Sequence, residues 1–400
     1  MTTNKLGNLE GLRGIAAISV VLFHFRLYFF PDTFPSSFTF EIENILNHLL
    51  SGFIDGGLAV YIFWIMSGYA ISIGFFKRVG KEQEDYLIKA IEKRYFRLML
   101  PVMVSVLLAW VLFTNDLFFH KEAITYLKLQ NVSVLNTFYN FEPSFTNALK
   151  EGVFGAFFNY NGVESYNRVL WTMGPELFGS FIVFALLGVF NKHTLRWIFY
   201  IGLIVVFSLK IPPYAAFLVG LLFADFDLNK SALVPRFYIR YEKIIFTKTI
   251  IVFLLLPSAL FFASHIYING KIGSVVDLLA AAYITRLTFY NNHFSNLLSS
   301  KIGLFLGRIS FGVYLVHVVV IVSFVSAIPV YFPDLNVWII LLLMLIVSVV
   351  LSGILGYLMY FLIDRHAQKM ATTMVTYYNS KLMKFFVHND RNISNKESNV

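Results

Sequence analysis

The sequence predicts an all-α integral membrane protein with about ten transmembrane helices and both termini on the cytoplasmic side. Hydrophobic residues make up 58% of the 400 residues and charged residues only 14%, whereas soluble domains carry about 25% charged residues. The apolar residues lie in blocks of about 20, the length that crosses about 30 Å of hydrocarbon. Lysine and arginine concentrate between alternate blocks, as they do in the cytoplasmic loops of membrane proteins.

The apolar blocks set the order of the predicted spans. They lie at 11–30, 54–76, 98–114, 170–190, 197–209, 213–226, 249–267, 273–290, 303–328 and 336–363. The region 197–226 allows two interpretations, because Pro212 and Pro213 divide it into two short halves. It forms either two short helices joined by an outer turn or one long span, and the long span would reverse the orientation of every later helix.

The basic residues favour the two-helix interpretation. With the N-terminus inside, 22 of the 32 lysine and arginine residues fall in the predicted cytoplasmic pieces and 6 in the outer pieces. One long span would place the basic loop 227–248 outside, against the positive-inside rule. Ten spans therefore fit best.

The chain divides into one large domain and a tail. Residues 1–366 form the transmembrane domain, and residues 367–400 form a basic cytoplasmic tail that is partly disordered, because hydrophobicity falls there and the last residues are polar. The segment 115–169 is the large outer loop, rich in Asn, Tyr and Phe. We expect this loop to cover an outward-facing site.

Several classes of function are excluded or disfavoured. The absence of cysteine rules out disulfides, thiolate metal sites and a cysteine thioester intermediate. The absence of a G-x-x-x-x-G-K loop argues against direct coupling to ATP. The net charge of +9 is explained by cytoplasmic loops, so nucleic acid is not an expected partner. No histidine pair has the spacing of metal ligands, and we predict no metal site.

Arg13 and His24 are the first ionisable pair within a span, where such residues are costly and are functional candidates by default. Eleven residues place them about 20° from alignment on one helix face and about 16 Å apart along the axis. A cytosolic acyl-CoA could leave its phosphates near Arg13 and extend its thioester toward a neutral His24, which can act as a base. Equally, Arg13 could anchor the helix at the inner surface while His24 bonds to a neighbouring helix.

Two further basic elements face the cytoplasm. Arg94 and Arg97 share a helix face at the end of the loop 77–97, and Arg308 lies near the cytoplasmic end of the ninth span. Guanidinium groups suit phosphate oxygens, although lipid headgroups and topology control are the commoner use. His317 lies about 14 Å deeper than Arg308 and is a second buried histidine with a possible structural role.

The remaining candidates lie on the second and fourth spans. Ser67 and Tyr69 flank Gly68, which permits close helix packing, so Ser67 either donates into a cavity or belongs to that packing. Trp171 precedes Glu176, an acid at a helix start, where the dipole favours it. We expect Glu176 to orient His24 or to hold acceptor hydroxyls, and the alternative is a simple helix-start acid.

Taken in order, these fragments resemble the acyltransferase-3 family of bacterial multispan membrane O-acyltransferases, from about residue 8 to residue 366. The likeness rests on Asn8 to Gly14 with His24, an Arg-(ten residues)-His motif; on Asp55 to Tyr69; on Arg94 to Pro101; on Leu170 to Glu176; and on Gly307 to His317. The sequence departs from the family pattern at Ala59, at Pro175, and at Asp364 and His366 in the closing segment.

The resemblance implies transfer of an acyl group, commonly acetyl, from cytoplasmic acyl-CoA to a hydroxyl of an envelope polysaccharide or lipid-linked saccharide. It implies a bacterial cytoplasmic (inner) membrane protein in which His24 is the base or acyl carrier. Arg13, Arg94, Arg97 and Arg308 would serve the donor and Glu176 the reacting site, with Ser67, Tyr69, Trp171 and His317 around the cavity. The sequence does not fix the oligomeric state.

A transporter for a lipid-linked sugar or an organic anion is the alternative, because buried Arg and His residues suit transport as well. Against it, the sequence has no internal repeat and no paired broken helices of the usual transporter kind.

Overall fold

The computed structural model describes residues 2–30, 54–228, 270–290 and 292–373, and every regular element within them is helical. The long helices are α1 Thr2–Phe29, α2 Gly56–Phe76, α3 Lys81–Thr114, α4 Met173–Phe190, α5 Arg196–Lys210, α6 Pro212–Leu228, α7 Gly270–Tyr290, α8 Lys301–Val320 and α9 Val337–Met359. Single π-helical turns at Ile321–Val325 and Tyr360–Asp364 extend α8 and α9.

Shorter helices fill the connections. In the segment 115–169, the predicted outer loop, they are His120–Tyr126, Val134–Thr137, Phe145–Lys150, Glu151–Gly155, Ala156–Phe158 and Arg168–Thr172, and elsewhere Asn292–Leu298 and Ser326–Tyr331. This segment is therefore folded into short helical turns.

Within the described residues, six helices are long and apolar enough to cross a membrane. They are Gly7–Phe29, Gly56–Phe76, Lys81–Thr114, Arg168–Phe190, Lys301–Tyr331 and Val337–Thr373. The predicted spans at 197–209, 213–226 and 273–290 are helices here too, but shorter or more polar than these six. The predicted span 249–267 and most of the predicted tail lie outside the described residues. The protein is a multi-pass helical membrane protein.

The region 197–226 forms two helices. Backbone φ and ψ at Ile211 are −144° and 70°, which ends α5 just before the two prolines. Arg196 at the start of α5 forms a buried ion pair, at 2.6 Å, with Asp225 near the end of α6. The two helices therefore fold back on each other, as in the first interpretation of this region.

Helices α1 and α8 pack in parallel along a seam of small residues. Arg13 lies beside Ser310 and His24 beside His317, so both pairs advance in the same chain direction. At Gly307 a Cβ atom would lie 2.0 Å from the carbonyl oxygen of Glu10. Only glycine permits this approach, because any larger residue would force the two backbones apart.

A second close contact joins α2 and α6. A Cβ at Gly68 would lie 2.1 Å from the Phe217 carbonyl oxygen. Beside this contact, Tyr69 donates a hydrogen bond to Asp227 at 2.8 Å, and Arg286 of α7 pairs with the same carboxylate at 3.0 Å. Helices α2, α6 and α7 are thus joined through one carboxylate.

Candidate functional site

A cavity of about 280 Å³ opens between α1, α2, α3, α4 and α8. Three arginines project into it, Arg13 from α1 and Arg94 and Arg97 from α3, together with Ser67 and Glu176. All five were predicted from the sequence, and the fold brings them into one chamber from four different helices. The opposite wall is apolar and aromatic and includes Val60, Phe63, Trp64, Met66, Met173 and Phe311.

Ser67, Arg94 and Glu176 form a compact hydrogen-bonded group. The Ser67 hydroxyl donates to Glu176 at 2.6 Å, and the Arg94 guanidinium donates to Ser67 at 2.8 Å and also to the Glu176 carboxylate. The side chains of Arg94 and Glu176 are only 11% and 17% exposed. Burial weakens solvent screening, so this pair is held firmly and fixes the position of the arginine fork.

Glu176 therefore has partners other than those expected from the sequence. Glu176 does not contact His24. It lies one helical turn after Thr172, and the Thr172 hydroxyl is the group that reaches Tyr314, at 2.8 Å. That turn lowers the carboxylate to the depth of Arg94. Proximity to His24 was inferred from membrane depth alone, which does not determine the side on which a helix faces its neighbours.

Arg97 lies beside the same group and interacts electrostatically with Glu176 and with Asp364. Asp364 lines the cavity from the π-helical turn that follows α9. The sequence marked this residue only as a departure from the family pattern at the end of the domain. Asp364 comes to lie beside an arginine because α3 packs against the last span. The residues around Asp364 in the sequence therefore give no sign of this contact.

A second cavity, of about 560 Å³, adjoins the first and is wider. Arg94 and Arg97 line both cavities and so stand between them. Arg78, Lys89 and Lys93 add positive charge around the second cavity, partly offset by Glu82 and Asp85. Tyr86 also lines both, donates a hydrogen bond to the Ile71 carbonyl at 3.0 Å and stacks under Arg78 at 4.6 Å.

His24 and His317 do not line the first cavity. Tyr314 does line it, and its ring centroid is 5.8 Å from that of His317 and 6.0 Å from that of Phe63. Its hydroxyl contacts Thr172 and the Val169 carbonyl, at 2.8 and 2.9 Å. An aromatic layer therefore separates the arginine-lined chamber from the two histidines.

The hydrogen bonds of the two histidines determine their tautomers. His317 Nδ1 lies 2.6 Å from the Tyr314 carbonyl oxygen, which can only accept, so Nδ1 carries the hydrogen. In a neutral ring, His317 Nε2 is then an acceptor, and it lies 3.1 Å from His24 Nδ1. His24 Nδ1 must therefore donate, toward His317 and the Val20 carbonyl at 3.0 Å. This arrangement leaves His24 Nε2 without hydrogen, in the state required of a base.

The other predicted site residues have different positions. Tyr69 bonds to Asp227, and Trp171 is 48% exposed and packs edge-on against Trp64, with the ring centroids 5.9 Å apart. Neither lines the arginine-lined cavity. Arg308 is on an exposed face of α8, because the adjacent Gly307 is the residue that faces α1. Among the described residues, no group of three or more His, Asp or Glu side chains is arranged to hold a metal.

The comparisons with known proteins agree with the resemblance. The family model described as an acyltransferase domain, that of acyltransferase 3, matches residues 6–357 of the chain. No curated protein and no solved structure matches it. The matched range contains every predicted site residue and ends just before Asp364.

Proposed function

Because the chain belongs to the acyltransferase-3 family, we propose that it transfers an acyl group, acetyl in the first instance, from cytoplasmic acyl-CoA to a hydroxyl of an extracytoplasmic envelope glycan. Family membership establishes a membrane acyltransferase that uses an acyl donor. The identity of that donor, the glycan acceptor and the bacterial inner membrane are part of the proposal.

The observation that carries the proposal is the pair of adjoining cavities, one lined by basic residues and one lined partly by apolar residues. The wide basic cavity at Arg78, Lys89 and Lys93 suits the phosphates of coenzyme A, since cationic side chains bind phosphate oxygens. The narrower chamber beyond it is lined on one side by apolar residues, which suits the pantetheine arm. In this proposal the thioester ends near Tyr314 and reaches His24 when the aromatic layer opens.

The chemistry then requires one proton acceptor, and His24 Nε2 supplies it. As the acceptor hydroxyl oxygen attacks the thioester carbonyl carbon, its proton moves to His24 Nε2. The carbon–sulfur bond breaks, and the departing thiolate of coenzyme A takes the proton back. In the alternative route His24 Nε2 first attacks the thioester carbonyl carbon and the coenzyme A thiolate leaves. The acceptor hydroxyl then takes the acyl group from Nε2, and its proton goes to the thiolate. Both routes use the same nitrogen atom, and an acid-quenched labelled protein would distinguish them.

The test uses sealed inside-out vesicles supplied with labelled acetyl-CoA. Wild type should place label on luminal glycan, and His24→Ala at equal expression should place less than about 1% as much, since a general base contributes about 10²–10⁴-fold. His193→Ala, an exposed histidine between α4 and α5, is the matched control and should behave as wild type. Equal labelling by His24→Ala would remove His24 from the mechanism. A wild type that moves unmodified saccharide without cleaving acetyl-CoA would identify a transporter.

A further inference from the structure

Tyr28 lies one helical turn beyond His24 at the end of α1, with the two ring centroids 5.5 Å apart. The side chain as a whole is only 2% exposed, and among the described residues no protein group forms a hydrogen bond with its hydroxyl. A hydroxyl that no protein group engages is available to a ligand or to an ordered water.

The hydroxyls of the neighbouring tyrosines, unlike that of Tyr28, form hydrogen bonds with protein groups. In the outer loop, Tyr139 donates to the Tyr166 carbonyl at 2.9 Å, and Tyr160 donates to the Arg168 carbonyl at 2.9 Å. Tyr166 donates to the Ser144 carbonyl at 3.0 Å. These hydroxyls hold the loop together, whereas that of Tyr28 does not contribute to its packing.

The surroundings of Tyr28 are fixed by the outer loop. Ser133 donates a hydrogen bond to the Tyr28 carbonyl at 2.8 Å, and the Phe138 ring packs edge-on against the Tyr28 ring with centroids 5.6 Å apart. Arg168 lies over the other side of Phe138, 4.1 Å from its centroid, and within electrostatic range of the Tyr28 hydroxyl. A row of aromatic rings that ends at one guanidinium therefore continues from His24 through Tyr28 and Phe138 to Arg168.

Resting on the proposed function, we propose that Tyr28 binds the acceptor and that its hydroxyl holds a sugar hydroxyl beside His24. A phenol both donates and accepts, which matches a carbohydrate hydroxyl, and aromatic rings offer an apolar face to the sugar ring. The reacting hydroxyl must lie within about 3 Å of His24 Nε2. A second hydrogen bond one turn away would fix its orientation, and Arg168 would select oxygen-rich or anionic saccharides.

The test is Tyr28→Phe, which removes one oxygen atom and keeps the ring packing. In the inside-out vesicles, labelled transfer to luminal glycan at saturating acetyl-CoA should fall about tenfold, the effect of one hydrogen bond to substrate. The KM for acetyl-CoA should stay within twofold of wild type. Tyr126→Phe, which removes a hydroxyl bonded to the Pro333 carbonyl on the outer surface, should match wild type in both quantities.

A binding measurement separates this proposal from the proposed function. Saturation-transfer NMR with methyl β-glucoside and methyl β-N-acetylglucosaminide should give signals with purified wild type that Tyr28→Phe weakens. Unchanged transfer by Tyr28→Phe, or a raised KM for acetyl-CoA, would overturn the assignment of Tyr28. If wild type binds the glycosides through Tyr28 but transfers no label, the sugar site is supported and acyl transfer is refuted. A wild type that does neither would refute both.

Discussion

At the scale of single residues, the backbone carbonyl of Tyr314 decides where the hydrogens of both histidines lie. It accepts from His317 Nδ1, which turns His317 Nε2 into the acceptor for His24 Nδ1. His317 is thus a positioning residue in the proposed mechanism, since it orients the base without touching the substrate. The Arg-(ten residues)-His motif predicted His24 but gave no information about this partner, which comes from a helix 293 positions away.

Replacing His317 tests this orientation. His317→Leu removes one of the two acceptors of His24 Nδ1 and leaves only the Val20 carbonyl, so the His24 ring loses its contact with α8. We expect the rate of acyl transfer to fall about 10–100-fold, because a small displacement of a catalytic group is costly. His317→Gln keeps an acceptor oxygen and should retain about tenfold more activity than His317→Leu. The measurement is kcat with purified protein, while the KM for acetyl-CoA should be unchanged. Equal activity of the two variants would mean that His317 only fills space.

Glu176→Gln tests the buried ion pair with Arg94. The variant keeps the shape of the side chain but leaves the guanidinium 11% exposed and without its counter-charge. We expect loss of about 3 kcal/mol of stability and a clear fall in donor affinity, measured as the melting temperature in detergent and the KM for acetyl-CoA. Glu164→Gln, on the exposed outer loop, should change neither.

His120 provides a pH-dependent prediction in the outer loop. Burial lowers its pKa to about 4, while the Phe138 carbonyl bond partly opposes this shift. Because the folded-state pKa is below the usual value of about 6.5, stability from neutral His120 is complete above pH 6.5 and is lost as pH falls toward 4. The change is on the order of 3 kcal/mol.

Melting temperatures between pH 7.5 and 4.5 would measure this loss. His120→Phe keeps a ring in the same aromatic surroundings and should flatten the acid side of the profile. The exposed His193→Gln should follow wild type. An acid-sensitive His120→Phe profile would assign the loss of stability to other groups.

At the scale of helices, the seam between α1 and α8 aligns the site. The same parallel contact that places Arg13 beside Ser310 places His24 beside His317, so the register of one helix pair controls both ends. The sequence predicted these helices from hydropathy and the break before Pro212 from proline chemistry. It could not predict which helices contact one another, because a lipid-facing and a protein-facing apolar surface have the same composition.

Gly307→Ala tests the importance of this register. A methyl group there meets the Glu10 carbonyl at 2.0 Å, so α1 and α8 must separate. We expect a lower melting temperature and a loss of transfer of at least about tenfold, since small displacements of catalytic groups are costly. At Gly202 of α5 a Cβ has no atom within 4 Å, and Gly202→Ala should be neutral or slightly stabilising. Similar effects of both substitutions would exclude the seam as the cause.

At the scale of the whole molecule, the chamber is assembled from fragments scattered along the chain. Arg13, Ser67, Arg94, Arg97 and Glu176 were all predicted, because each belongs to a recognisable fragment. Asp364, Tyr86 and Tyr28 were not, since their roles arise only when distant segments pack together.

The predicted sidedness can be tested directly, because the chain has no cysteine. Lys89→Cys lies at the basic cavity and Asn161→Cys on the outer loop, both at exposed positions. A membrane-impermeant maleimide should label Lys89→Cys only in inside-out vesicles and Asn161→Cys only in right-side-out vesicles. Acetyl-CoA should slow labelling of Lys89→Cys. The reverse pattern would invert the predicted orientation.

The aromatic layer at Phe63 and Tyr314 also matters for the energy supply of the cell. A bacterial inner membrane stores energy as an ion gradient, and one elementary charge crossing 100 mV releases about 2.3 kcal/mol. An enzyme that joined a cytoplasmic chamber to an outward-facing base through open water would dissipate that gradient as a proton leak. In the proposed orientation, Phe63 and Tyr314 stand between the cationic cavity and His24, so that cavity can fill with water while the aromatic side chains keep water from joining it to the base.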